Sequence, residues 1–230
     1  MGAATQKLID LDVELDAEEV LRTMGCRPGH NLRAEHRLLM DRLLSEARPA
    51  LSARAVYTIA DVEHIGENEL RLRECRPIRG PIASFLKPSR RVVAFVATIG
   101  EAIERMADER FQAGDKLGGY TLNAIGSAAA DAAVDALADA IYFSDLGPDE
   151  ALTPPFSPGY CGMPLEEQLS IFSIVQAAPI GVRLLPSMIM KPLKSVSGLI
   201  GIGPNVEIEA RGVPCQWCEL TSCRMRRTAR

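Results

Sequence analysis

Residues 117–142, LGGYTLNAIGSAAADAAVDALADAIY, constrain the fold of this 230-residue chain more than any other stretch. Alanine and leucine make the run a strong helix former over about seven turns. Its small residues, Gly118, Gly119, Gly126, Ala130 and Ala133, let a neighbouring element come close. In a chain whose segments never reach about 18 uninterrupted apolar residues, this pattern predicts tight packing of the helix on a sheet. It does not predict a membrane dimer seam.

A strand for that sheet lies just upstream. RVVAFVAT, residues 91–98, is a nearly continuous apolar run and predicts a buried strand. Thr98-Ile99-Gly100-Glu101 then opens a helix to about residue 112. Residues 55–62 carry Val56, Tyr57 and Ile59 and predict a second strand. The alternating 70–73 segment, Leu-Arg-Leu-Arg, is its expected partner. Residues 17–24 and 29–48 predict helices, the first closed by Gly25 and the second stopped by Pro49. Residues 76–89 and 145–158 are rich in Pro and Gly and predict loops. Residues 165–177 predict a helix. Residues 182–190 and 195–202 predict two strands, antiparallel neighbours across a turn at Pro192. This mixed order implies one α+β domain over residues 1–230: a twisted antiparallel sheet with flanking helices and a Cys-rich segment at 213–230.

Charge excludes some function classes. The net charge is −4, which argues against sequence-independent nucleic-acid binding, since that needs clustered cations. The basic end, Arg224, Arg226, Arg227 and Arg230, reads as a solvated terminus. The acidic start lacks a signal peptide's apolar run, so the expectation is a cytoplasmic protein with no membrane partner. Its six cysteines are then thiols or metal ligands rather than structural disulfides.

The residues that carry chemistry begin at Ser157-Pro158-Gly159-Tyr160. Gly admits a ligand close to the backbone, Pro stiffens the entrance, and Tyr160 offers a ring face and a hydroxyl. Alone this is a common turn. The residues downstream give it weight: Pro164 before a helix, then Ser187, Met190, Pro192 and Lys194-Ser195-Val196-Ser197-Gly198. This order resembles the activation domain of cobalamin-dependent methionine synthase, and above all its short stand-alone relatives. The resemblance extends to Glu19–Arg22, to Thr98-Ile99-Gly100 and to the Gly119–Ser127 helix segment, although only 157–198 is specific.

The resemblance implies an accessory protein that presents S-adenosylmethionine to the cobalt of a corrinoid held by a partner methyltransferase, for reductive methylation. It assigns Ser157, Pro158, Gly159 and Tyr160 to the donor ligand. It places Lys194, Ser195 and Ser197 toward the corrin edge. The family also uses two acidic residues, for which Asp131 and Asp149 are the candidates here. One departure stands out. Where the family has an arginine three residues before the loop proline, this chain has Pro155, and proline cannot replace a bidentate guanidinium.

A second constellation is Cys215-x-x-Cys218-x(4)-Cys223. Thiolates at this spacing can share one zinc ion or iron–sulfur cluster, which needs a fourth ligand. Cys161, inside the Pro-Gly-Tyr loop, is the first candidate, ahead of Cys26 and Cys75. An ordinary trio of thiols and a redox-active Cys215–Cys218 pair are the alternatives. The histidines are His30, His36 and His64. The last lies in Asp61-Val62-Glu63-His64-Ile65-Gly66, whose spacing does not match a corrinoid axial-ligand sequence. The corrinoid is therefore expected on a partner, together with a separate electron donor. The alternative function is a metal- or cluster-bearing protein that delivers electrons or aids assembly and binds no S-adenosylmethionine.

Overall fold

A computed structural model describes residues 5–216 except 28, 30, 74, 161, 212 and 213. The central strand is β5 (Arg91–Thr98), in which every residue after Arg91 is buried. It pairs antiparallel on one side with β2 (Arg54–Ile65) and on the other with β9 (Ser195–Pro204). On the far side of β2 lie β1 (Gln6–Asp10), along residues 54–58, and β3 (Glu69–Leu72), along 62–65. Beyond β3 comes β4 (Ile78–Arg79). Beyond β9 comes β6 (Glu150–Leu152), paired with residues 202–204. Every pairing is antiparallel, as the sequence led us to expect.

Alternation along the strands divides the core into two layers. Ala55, Tyr57, Val93, Phe95, Ala97, Ile200 and Ile202 face the second half of helix α5 (Lys116–Asp145), meeting Val134, Leu137 and Ile141. Val56, Ala60, Val92, Ala94, Val96 and Leu199 face the opposite way. There they meet α3 (Ile82–Phe85), α6 (Gln168–Ile174), and Phe156 and Met163 from the segment between β6 and α6. The first half of α5 leaves the sheet and packs with α1 (Ala17–Thr23), α2 (Ala34–Ala47) and α4 (Ala102–Gln112) in a third cluster built on Leu43, Ile103, Leu122 and Ile125. The small-residue stretch of α5 therefore serves helix–helix packing at one end and helix–sheet packing at the other. At 30 residues the helix is about 45 Å long, enough to span both. No helix among the described residues is long and apolar enough to cross a membrane.

Local sequence explains the helix ends. Asp16 caps α1 by accepting from Glu18 N, and Asp115 caps α5 by accepting from Gly118 N at 2.9 Å. Helix α2 begins at Ala34, five residues later than its periodicity suggested, and ends where a short 3₁₀ turn containing Pro49 takes over.

Three local expectations are corrected. The predicted loop at 76–89 contains β4 and α3, whose buried Ile78, Ile82 and Phe85 were masked by the surrounding Pro and Gly. The predicted loop at 145–158 contains β6. The predicted strand at 182–190 is a hairpin of its own, β7 (Arg183–Leu184) against β8 (Met190–Lys191). Pro186 has no N–H to give a ladder, and Leu185 N instead turns onto Ile189 O at 2.9 Å. β9 consequently pairs with β5 and β6 and not with residues 182–190. After β9 the chain enters α7 (Asn205–Arg211).

Candidate functional site

The Pro-Gly-Tyr segment leaves the sheet at a single bridge. Phe156 N donates to Leu199 O at 2.9 Å, and Leu199 N donates to Phe156 O at 2.8 Å. The loop then closes on itself: Tyr160 N on Ser157 O (3.1 Å), Met163 N on Tyr160 O (2.9 Å) and Gly159 N on Met163 O (2.9 Å). Pro158 and Met163 are buried and anchor it, while Gly159 and Tyr160 face solvent. Tyr160 is 69% exposed, so its ring and hydroxyl are open to a ligand. Gly159 has φ +87°, a conformation that other residues rarely adopt.

The loop rests on the turn between β4 and α3. A β-carbon at residue 162 would stand 2.7 Å from Pro81 Cγ, and one at residue 80 would stand 3.0 Å from Pro164 Cδ. Phe156 meets Phe85 edge to face with ring centroids 4.9 Å apart. On α7, the Arg211 guanidinium lies 5.9 Å from the Phe85 ring centre and also donates to Ser84 O. Pro155 is exposed at the outer end of this segment, which leaves the loop without the expected guanidinium at that position.

The adjoining stretch of β9 offers main chain rather than side chains. Leu199 and Gly201 turn their backbone groups to the outer edge, where Phe156 and Thr153 take them. By the same alternation Ser197 turns its N–H and C=O to this edge. Among the described residues no backbone group pairs with them there. The serine side chains point inward. Ser195 and Ser197 are buried, and the Ser195 hydroxyl joins Thr98 Oγ1 at 2.9 Å and Pro192 O at 2.7 Å.

Lys194 turns to the other side of the strand and does not reach toward the loop. Its Nζ donates to Asn123 Oδ1 and Ser127 Oγ on α5, both at 2.8 Å. Burial lowers its pKa below 10.5, and the nearby Glu104 carboxylate opposes that shift. Glu104 in turn accepts from Lys191 Nζ at 3.1 Å and from Leu193 N at 3.0 Å. Thus the turn ahead of β9 is fastened to α4 through Glu104 and to α5 through Lys194. Glu104, Asn123 and Ser127 were not singled out from sequence. The only local signal was the i, i+4 spacing of Asn123 and Ser127, two polar positions on one ridge of α5.

The acidic candidates separate. Asp131 is exposed on α5, one turn past Ser127 and on the same ridge. Asp149 is exposed at the opposite end of the β6–β9 pair, where its carbonyl takes Asn205 N at 2.9 Å. Its neighbour Glu150 pairs with Pro204, seven positions along β9 from Ser197, or about 23 Å. The loop itself begins nearer, at Phe156 opposite Leu199, five positions along β9 from Pro204. Of the proposed metal ligands, Cys161, Cys218 and Cys223 lie outside the described residues, and Cys215 is half-buried just after α7. Among the described residues no group of three or more His, Cys, Asp or Glu side chains could hold a metal ion.

No family model matches the chain, and no curated protein matches it in sequence. Among solved structures it is similar to the crystal structure of the MetH reactivation domain bound to AdoHcy. That likeness covers 88% of this chain and 79% of the other at a TM-score of 0.70 and 16% identity. The mixed helix and antiparallel-sheet architecture described above is therefore that of a methionine synthase reactivation domain.

Proposed function

We propose that this protein binds S-adenosylmethionine at the Ser157–Tyr160 loop and presents its methyl group to a corrinoid carried by a partner methyltransferase. The observation that supports this most is the loop itself. It is a self-bonded turn with an exposed tyrosine, set beside main-chain groups of β9 that find no backbone partner among the described residues, in a fold whose solved counterpart holds S-adenosylhomocysteine. Backbone N–H and C=O groups at such an edge suit an adenine edge or a carboxylate. In this chemistry the sulfonium methyl passes to low-valent cobalt and S-adenosylhomocysteine leaves. The departing sulfur needs no proton, so positioning rather than acid–base work is what the protein supplies. The electron that restores low-valent cobalt comes from a separate donor.

The test is calorimetric titration with S-adenosylhomocysteine, followed by methylation of a partner-bound cobalamin. Uptake of the ligand is expected. Absence of heat and of competition at millimolar ligand overturns the reading.

The C-terminal thiols form a second element of this proposal. Arg211 rests on Phe85, and Phe85 rests on Phe156, so the chain enters the Cys215 segment within two side chains of the donor loop. This supports a thiolate centre of Cys215, Cys218 and Cys223 completed by Cys161. Zinc or an iron–sulfur cluster there would tie the C-terminal segment to the loop.

A further inference from the structure

We infer that Glu104 is a positioning residue: it fixes the turn that delivers the start of β9 to the donor loop. The inference rests on the function proposed above. Four observations carry it. The Glu104 side chain is only 18% exposed, one turn into α4, and its two carboxylate oxygens are both occupied. One takes Lys191 Nζ and the other takes the main-chain N–H of Leu193, so it holds the turn from both ends. Downstream the turn passes directly into Lys194 and Ser195, where Ile99 N donates to Lys194 O at 3.1 Å and the Ser195 hydroxyl closes back on Pro192 O. The hairpin that precedes it is bonded only to itself as a sheet, so it supplies no ladder to steady the turn.

Among the described residues both hydrogen bonds of the carboxylate go to the turn. Glu101 pairs with Arg105 at 2.9 Å on the solvent side of α4. Asp108 and Arg183 line an open cleft of about 260 Å³ that Glu104, Lys191 and Pro192 also border. Of the α4 carboxylates, Glu104 is the one that reaches the main chain of the turn. A bond from a backbone N–H to a carboxylate is among the stronger hydrogen bonds a protein makes. Here it sets where residues 195–197 begin, and hence how the backbone of Ser197, which finds no backbone partner among the described residues on its outer edge, is presented beside the loop.

The experiment compares wild type, E104Q and E104A by amide hydrogen exchange and by S-adenosylhomocysteine titration. The glutamine keeps an acceptor for Leu193 and gives up the ion pair, while the alanine gives up both. In E104A, exchange at Leu193 should speed up by about tenfold, the equivalent of one charge-assisted hydrogen bond. S-adenosylhomocysteine should bind severalfold more weakly to E104A, and E104Q should restore both readings to near wild type. A folded E104A that exchanges and binds as wild type overturns the inference. So does an E104A protein that melts earlier while its ligand affinity stays unchanged, because that is a structural role only. Wild-type protein that takes up no S-adenosylhomocysteine overturns the donor-binding reading instead, and exchange at Leu193 in E104A still decides whether Glu104 holds the turn.

Discussion

The methylene stem of Lys194 lies against Gly126, with Cε 3.1 Å from where a β-carbon of residue 126 would stand. Ile103 Cγ2 is equally near. The glycine thus makes the channel through which the lysine reaches Asn123 and Ser127. Gly126→Val should expel the lysine and crowd Ile103. Overpacking of this kind costs about 1–3 kcal/mol, measurable as a lower denaturant midpoint. An unchanged midpoint would show that the channel is looser than these distances say.

The same lysine should leave a mark on the alkaline side of the stability curve. Its folded pKa lies below the 10.5 of an exposed lysine, chiefly through burial. The unfolded chain therefore binds that proton more tightly, and stability contributed by Lys194 should rise as pH climbs from its folded pKa toward 10.5. Comparing wild type with Lys194→Met across that window tests the sign. The difference in unfolding free energy should shift with pH in favour of wild type.

At the other end of α5, Asp145 joins three elements. It pairs with Lys7 of β1, and it accepts from Tyr57 OH and Ser144 Oγ, each at 2.8 Å. Burial alone would raise its pKa, but the bonds from Lys7, Ser144 and Tyr57 outweigh burial and hold it below 3.8. The stability it contributes is therefore complete above 3.8 and fades as pH falls through the lower, folded value. Asp145→Asn should cost about 2 kcal/mol, in line with hydrogen bonds to a charged group. It should also flatten the acid limb of the curve and speed exchange along β1. An acid limb identical to wild type would show that Asp145 does not set the acid stability of the fold.

Gly159→Val should abolish S-adenosylhomocysteine binding at modest cost to the fold. The φ of +87° at this position imposes about 1–3 kcal/mol of strain on a β-branched residue. The residue is exposed, so the core is not touched. Calorimetry and thermal melting measured together separate the two effects. Retained binding would move the donor away from this loop.

Metal analysis of wild type and Cys218→Ser tests the thiolate centre. Stoichiometric metal in wild type, lost in the variant and falling at low pH as the thiols take up protons, is the expected outcome. Metal content that ignores the substitution would leave these as ordinary thiols.

Much of this architecture could be read from sequence where burial is complete. β5 was found to the residue because a central strand covered on both faces is apolar throughout. The limits of α5 lay within three residues of expectation because its pattern is long and unbroken. β6 and the Phe156 bridge were hidden, since Pro148, Pro154, Pro155 and Pro158 dominate that stretch and an edge strand is defined by its partner rather than its composition. The hold on the turn before β9 was equally hidden. Lys194 and Asn123 are 71 positions apart, and no local periodicity links a lysine to an asparagine at that distance. The loop was recognisable as a turn, but its seat on Gly80 and Pro81 depends on packing between distant segments.

The outer strand beside β9 ends at Leu152, Thr153 and Phe156 still bond to Gly201 and Leu199, and the chain then turns into the Pro-Gly-Tyr loop. What remains at Ser197 is a place defined by the peptide backbone, which every residue type carries alike. Recognition of that kind is insensitive to side-chain exchange, unlike a grip made by a guanidinium. Pro155 therefore leaves that main-chain edge as it is, whatever side chain stands at position 155. The length of the neighbouring strand matters more, because a single further pair of ladder bonds at Ser197 would close that edge.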